Sequence, residues 1–264
     1  MPTTAELLAL APAAVPVAPM VCLVAQFSAV LFDLDGVLIS TDNGVLALWR
    51  DVLAGHGIRV PADELRVHAI GCSREHTIEH FLGDHPAEFR AAVLADVTAA
   101  EASLQFELGP GAAALIAALD KAGVPMGCVT GASVGRLSRA LSALGARALI
   151  ATSVVWGDVE HGKPAPDSYV LAAERLRLPP SQCLVIEDSV GGVLSAAGAG
   201  CSCIALAAHD DAEALDAAGA TVVVESLLSL TLSAAYDGGH VISTDEGDFY
   251  FPPAATQLDA AGGS

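Results

Sequence analysis

Cations are scarce in this chain. Twelve lysines and arginines stand against 31 aspartates and glutamates over 264 residues, giving a net charge of −19. No basic run occurs, which argues against nucleic acid or an anionic membrane as a partner. Charged residues total 16%, so the imbalance comes from missing cations more than from abundant anions. Lysine is reduced to Lys121 and Lys163, which makes the place of each informative. The six cysteines form no CxxC pair and show no regular spacing. That speaks against a disulfide framework and for a reducing, cytoplasmic setting. Residues 1–27 lack a basic start, and Pro12, Pro16 and Pro19 interrupt any spanning helix. They read as a loose N-terminal extension and not as a leader or anchor.

The hydrophobic fraction of 53%, much of it alanine, excludes general disorder. Apolar runs that fit buried parallel strands occur at 29–33, 124–129, 148–153, 182–187, 201–206 and 220–225. From 108 onward they alternate with helical patterns, such as 109–123, opened by Pro110 and closed by Gly123. Strand–helix alternation implies right-handed crossovers and a parallel sheet covered on both faces. The fold class is therefore α/β, with a Rossmann-like core over 28–43 and 108–236. Residues 44–107 carry helical patterns and no strand signal, so they predict an inserted all-helical domain above the strand ends. The tail 237–264 is rich in Gly and Asp, with HVIST and DFYF as a possible hairpin.

The chemistry gathers at strand ends. Asp33 and Asp35 follow the first apolar run, and Gly36 lets the backbone turn sharply there. Thr130 with Gly131, Lys163, and Glu187 with Asp188 occupy the same kind of position, a strand's C-terminal end or the loop after it. In a parallel sheet such ends share one rim, where open α/β folds place ligands. The pocket would hold up to four carboxylates, one hydroxyl and one ammonium. Clustered carboxylates repel unless a cation neutralises them, and hard oxygen ligands select Mg²⁺. A lysine and a hydroxyl opposite them suit phosphoryl oxygens. This inventory points to phosphoryl transfer. Bland readings stand beside it: Thr130 as an ordinary helix N-cap, Glu187 and Asp188 as a helix N-terminal charge pair, Lys163 as a solvated lysine.

DLDGVL (33–38), VTGAS (129–133), GKPAPD (162–167) and IEDSVGG (186–192), in this order, resemble the motifs of the haloacid-dehalogenase-like superfamily of phosphatases and phosphomutases. The resemblance covers about 29–230 and makes the helical insert the family's cap. It implies a phosphoric monoester hydrolase working through an aspartyl-phosphate. Asp33 would be the nucleophile and Asp35 the general acid/base. Asp33, the Asp35 carbonyl and Asp188 would bind Mg²⁺, with Glu187 close by or acting through water. Thr130, Gly131 and Lys163 would hold the phosphoryl oxygens. The substrate implied is a small phosphorylated metabolite such as a sugar or polyol phosphate; monomer and homodimer both stay open.

The segment GCSREHTI (71–78) is similar to the cap loop of β-phosphoglucomutase, which makes Arg74 a candidate substrate contact and a hexose-phosphate mutase the alternative. Ile70 and Ser133 stand where that enzyme has lysines, and Val45 where it has a histidine. Losing two cations disfavours holding a second phosphate and favours hydrolysis. HTIEH (76–80) matches a zinc-protease pattern, with His76 and His80 on one helical face. No third ligand is evident in sequence, so these histidines read as surface residues.

Overall fold

The computed structural model describes residues 26–70, 72, 74–207 and 212–253. The expected N-terminal extension therefore lies, except for Gln26 and Phe27, outside the described residues, as do Gly71, Ser73 and residues 254–264. In chain order the first elements are β1 (Ala29–Phe32), β2 (Ile39–Ser40), α1 (Asp42–Gly55), α2 (Ala62–Ala69), α3 (Arg74–Leu82), α4 (Ala87–Glu101) and β3 (Glu107–Leu108). Then come α5 (Ala112–Lys121), β4 (Met126–Val129), α6 (Val134–Ala143), β5 (Ile150–Val154), α7 (Asp167–Leu176), β6 (Cys183–Glu187), α8 (Val190–Ala199), β7 (Ser202–Leu206), α9 (Ala212–Ala217) and β8 (Val222–Val224). Three further strands end the described chain: β9 (Thr231–Ala234), β10 (His240–Ser243) and β11 (Asp248–Phe251).

Six strands pair in parallel in the order β5-β4-β1-β6-β7-β8. The chain moves outward from β1 to β4 and β5, then crosses back to β6 on the other side of β1. The crevice at the end of β1 is thus the switch point of a doubly wound, Rossmann-like sheet. The apolar runs are explained by burial on both faces. Val30 and Phe32 face one core layer with Leu115, Ile116 and Leu137, while Ala29 and Leu31 face the other with Tyr169, Ala172 and Val193.

The helices α1 to α4 have an apolar core of their own, built on Trp49, Leu53, Leu65, Ile78, Leu82, Val93 and Val97. A short antiparallel ribbon stands at the base of this insert, pairing Ile39 with Leu108 and Ser40 with Glu107. Two-residue strands fall below any periodicity signal, which is why the sequence gives no hint of this ribbon. At the other end of the chain β11-β10-β9 form an antiparallel sheet. Ile242, Phe249 and Phe251 bury into the main core, and Phe27 meets both phenylalanine rings at under 6 Å, with centroids 5.8 and 5.9 Å apart. Among the described residues no helix is long and apolar enough to cross a membrane.

If that small sheet closes the core, Phe251→Ala should lower stability by about 3–5 kcal/mol, the usual cost of emptying a buried phenylalanine site. Urea denaturation measures it; a change below about 1 kcal/mol would mean the sheet only rests on the surface.

Candidate functional site

Asp33 follows β1 directly, and its backbone N–H donates to the Ile186 carbonyl at 2.9 Å. Thr130 follows β4 and its N–H donates to Val154 O at 2.9 Å. Glu187 ends β6, and Asp188 comes next. These sheet bonds fix the backbones of residues more than 150 positions apart along one rim. Asp33, Glu187 and Asp188 are all buried, each offering a carboxylate oxygen within 4.8 Å of the others. Lys163 enters from the loop after β5. Its ammonium donates to Asp33 Oδ1 and Glu187 Oε1, each at 2.5 Å, and to Val129 O at 3.0 Å.

The electrostatics follow from crowding. Burial is the largest influence on Asp33 and lifts its pKa to about 7; Glu187 and Asp35 add to the rise, and Lys163 opposes it. Asp188 is raised well above the ordinary carboxylate range, by burial first and then by Glu187 and Asp33. For Lys163 burial works against the charge, yet Asp33 and Glu187 outweigh it and the net shift is upward. Three buried carboxylates against one ammonium leave negative charge to be neutralised, and the donors are oxygens. That set fits a hard divalent cation of the Mg²⁺ kind.

Glu187 is fully buried, and both its oxygens are engaged. Oε1 accepts from Lys163 and from the Tyr169 hydroxyl at 2.9 Å. Oε2 accepts from the backbone N–H of Asp188 at 3.0 Å and from the Ser189 N–H and hydroxyl. Two glycines make room for these acids. A Cβ on Gly36, which has φ +79°, would fall 1.6 Å from Asp188 Oδ2, and one on Gly192 would fall 1.9 Å from the Glu187 carboxyl carbon. The GG step at the start of α8 thus admits the buried acid beneath it.

Thr130 is buried, and its hydroxyl accepts from the Ala132 N–H at 3.0 Å. It is not the N-cap of α6: Ser133 fills that position and accepts from the Arg136 N–H at 3.3 Å. Gly131 beside it is exposed, with open space where a Cβ would stand. Asp35 is not one of the three clustered carboxylates and has partners of its own. It accepts from Thr41 Oγ1 at 2.9 Å and pairs with the Arg136 guanidinium. Arg136 is 7% exposed, also donates to Thr41 Oγ1 at 3.2 Å, and among the described residues has no hydrogen-bond partner for its buried Nε. Arg74 pairs through Nη1 with Glu101 at 2.9 Å and lies 4.8 Å above the Trp156 ring. Burial raises the Glu101 carboxyl, with Arg74 and Arg136 opposing.

Arg136, Thr41, Glu101, Tyr169 and Trp156 escaped sequence reasoning because each sits outside a recognisable motif. Arginine scarcity was the one available signal, since it makes an arginine on the amphipathic helix after VTGAS worth noticing. Trp49 is buried in the insert's own core.

Residues 27–200 match the family described as haloacid dehalogenase-like hydrolase. Hexitol phosphatase A of Escherichia coli (strain K12) is 33% identical over 219 residues, spanning 80% of this chain and 97% of its own. Validoxylamine A 7'-phosphate phosphatase of Streptomyces hygroscopicus subsp. limoneus is 33% identical over 205 residues, spanning 76% and 95%. The crystal structure of CbbY from Rhodobacter sphaeroides in complex with phosphate aligns with a TM-score of 0.64 at 27% identity, covering 76% of this chain and 95% of that one.

The glycine step gives a paired test. Gly192→Ala should destabilise the fold by roughly 1–3 kcal/mol, the range of an overpacked core. Gly191→Ala, with open space at its Cβ, should be neutral or stabilising by up to about 1 kcal/mol. Equal effects of the two, measured by chemical denaturation, would refute the close approach to Glu187.

Proposed function

The chain belongs to the haloacid dehalogenase-like hydrolase family, and within it we propose a Mg²⁺-dependent phosphatase that hydrolyses a small phosphorylated metabolite, a sugar or polyol phosphate. The observation that carries this reading is Lys163 locked between Asp33 and Glu187, with Asp188 alongside, at the sheet's switch point. Its phosphatase relatives share most of their length with this chain, which supports the same reaction class.

In this reading Asp33 attacks the phosphorus and the phosphate ester bond breaks, giving an aspartyl-phosphate and an alcohol. Asp35 supplies the proton that the leaving oxygen takes up, then removes one from the water that hydrolyses the acyl phosphate. Splitting one displacement into two makes each step easier. Asp33, the Asp35 carbonyl and Asp188 would hold Mg²⁺, which supplies charge neutralisation as phosphate meets carboxylate. Glu187, with both oxygens committed, acts by fixing Lys163. Thr130, Gly131 and Lys163 meet the phosphoryl oxygens. Arg74 is the contact from the insert, its guanidinium oriented by Glu101. Arg136 and Thr41 orient Asp35.

A mutase needs cations for a second phosphate, and Ser133 is occupied in capping α6. Among the described residues Cys128, Cys183, Cys201 and Cys203 are buried thiols, and a reducing cytosol is part of this reading.

A phosphate-release screen over sugar, polyol and glycolate phosphates, with and without a chelator, tests the reading. Activity should vanish on chelation and return with Mg²⁺, and Asp33→Asn should abolish turnover with the fold intact. Activity of Asp33→Asn near the parent's, or isomer formation from a hexose 1-phosphate exceeding phosphate release, would overturn it. Arg136→Ala should lower kcat roughly 10- to 100-fold, the loss usual for an orienting partner, with Mg²⁺ affinity unchanged. Steady-state kinetics and a Mg²⁺ titration check this; an unaltered kcat would remove Arg136 from the machinery.

A further inference from the structure

The pattern HTIEH lacks a third metal ligand in the sequence, but the fold brings a third histidine beside it. Helix α3 carries His76 and His80 four residues apart, on one face. Helix α2, packed beside it, carries Glu64 and His68 with the same spacing. The two faces meet. His68 Nδ1 lies 3.4 Å from His76 Nε2, and the rings of His68 and His80 stack with centroids 3.5 Å apart. His80 Nε2 is 3.6 Å from Glu64 Oε1. The Thr77 hydroxyl donates to the His68 carbonyl at 2.7 Å and pins the end of α2 against α3. Phe81 stands edge-on to both His68 and His80 and closes one side.

Eight histidines occur in the chain, and three of them touch here. His68 is held below the ordinary histidine value by desolvation first, then by His80 and His76, with Glu64 opposing. Neutral imidazoles keep the lone pairs that a metal needs. The donor set differs in kind from the active site, where every candidate ligand is an oxygen. Nitrogen-rich sites favour Zn²⁺, Cu²⁺ or Ni²⁺ and are poor for Mg²⁺. In the structure the rings stack and their ligand atoms do not converge on one point, so the site needs His76, His80 and Glu64, all exposed, to turn toward His68. We propose that Glu64, His68, His76 and His80 form a second metal site on the outer face of the helical insert, taking one borderline divalent ion such as Zn²⁺. Bound there, the ion cross-links α2 and α3 across the connection that leads into Arg74. The site stands independently of the phosphatase reading.

The test uses the full chain in excess Mg²⁺, titrated with ZnCl₂ by calorimetry and with CuCl₂ for electron paramagnetic resonance. The expected result is one Zn²⁺ per chain, a raised Tm, and copper spectra with hyperfine splitting from more than one imidazole nitrogen. His76→Ala/His80→Ala should abolish this binding and His68→Gln should weaken it at least tenfold. Asp188→Asn should leave it in place. Copper spectra of the unaltered chain read the ligands directly, should a variant fold poorly. Failure to bind, binding unaffected by the double variant, or binding lost in Asp188→Asn would each overturn the proposal.

Discussion

The site depends on one ammonium group held among buried acids. Lys163 bridges Asp33 and Glu187, and without it three carboxylates would face one another at the end of β1. Breaking a buried ion pair from one side is costly because the remaining charge is stranded. The surroundings reflect that constraint. Tyr169, Ser189 and the Asp188 amide saturate Glu187, so the acid that holds the lysine is itself held. Gly36 and Gly192 leave space where any side chain would collide with these carboxylates. The charge pattern and the packing pattern therefore specify the same few positions.

A second, looser network joins the insert to the core. Asp35 and Thr41 meet Arg136 of α6; Glu101, at the end of α4, receives Arg74 from α3 and the Arg139 guanidinium through its carbonyl oxygen. Arg74 in turn covers Trp156, which is 59% exposed on the loop after β5. Four of the chain's twelve basic residues, Arg74, Arg136, Arg139 and Lys163, thus serve the site and its border. The other eight basic residues are spread over a chain with 31 acidic ones, and this surplus of negative charge repels anionic polymers.

The sheet was legible because its strands are buried on both faces and read as unbroken apolar runs, and because helices alternate with them. The carboxylates, Thr130 and Lys163 were legible as residues at strand ends, where topology brings distant positions together. What was not legible lacks a period or a motif. The ribbon at 39–40 and 107–108 is too short, and β9 alternates polar and apolar residues over only four positions, TLSA, on a largely exposed edge. Arg136 looks like any surface helix residue until its partner Asp35 is placed against it. The engagement of Glu187 by Lys163 and Tyr169 needs three-dimensional proximity, since the three come from different segments. The histidine cluster is similar: spacing gave two members on one helix, and only helix packing brought the third.

The ribbon between Ile39–Ser40 and Glu107–Leu108 has one more implication. It places the entry and exit of the helical insert side by side, at the spacing of paired strands. A segment tethered at two adjacent points closes its own loop and asks little of the scaffold beneath it. Such a junction suits exchange. Foreign helices grafted between these four residues would meet the same doorway, so the insert can be exchanged while the buried carboxylates stay where they are.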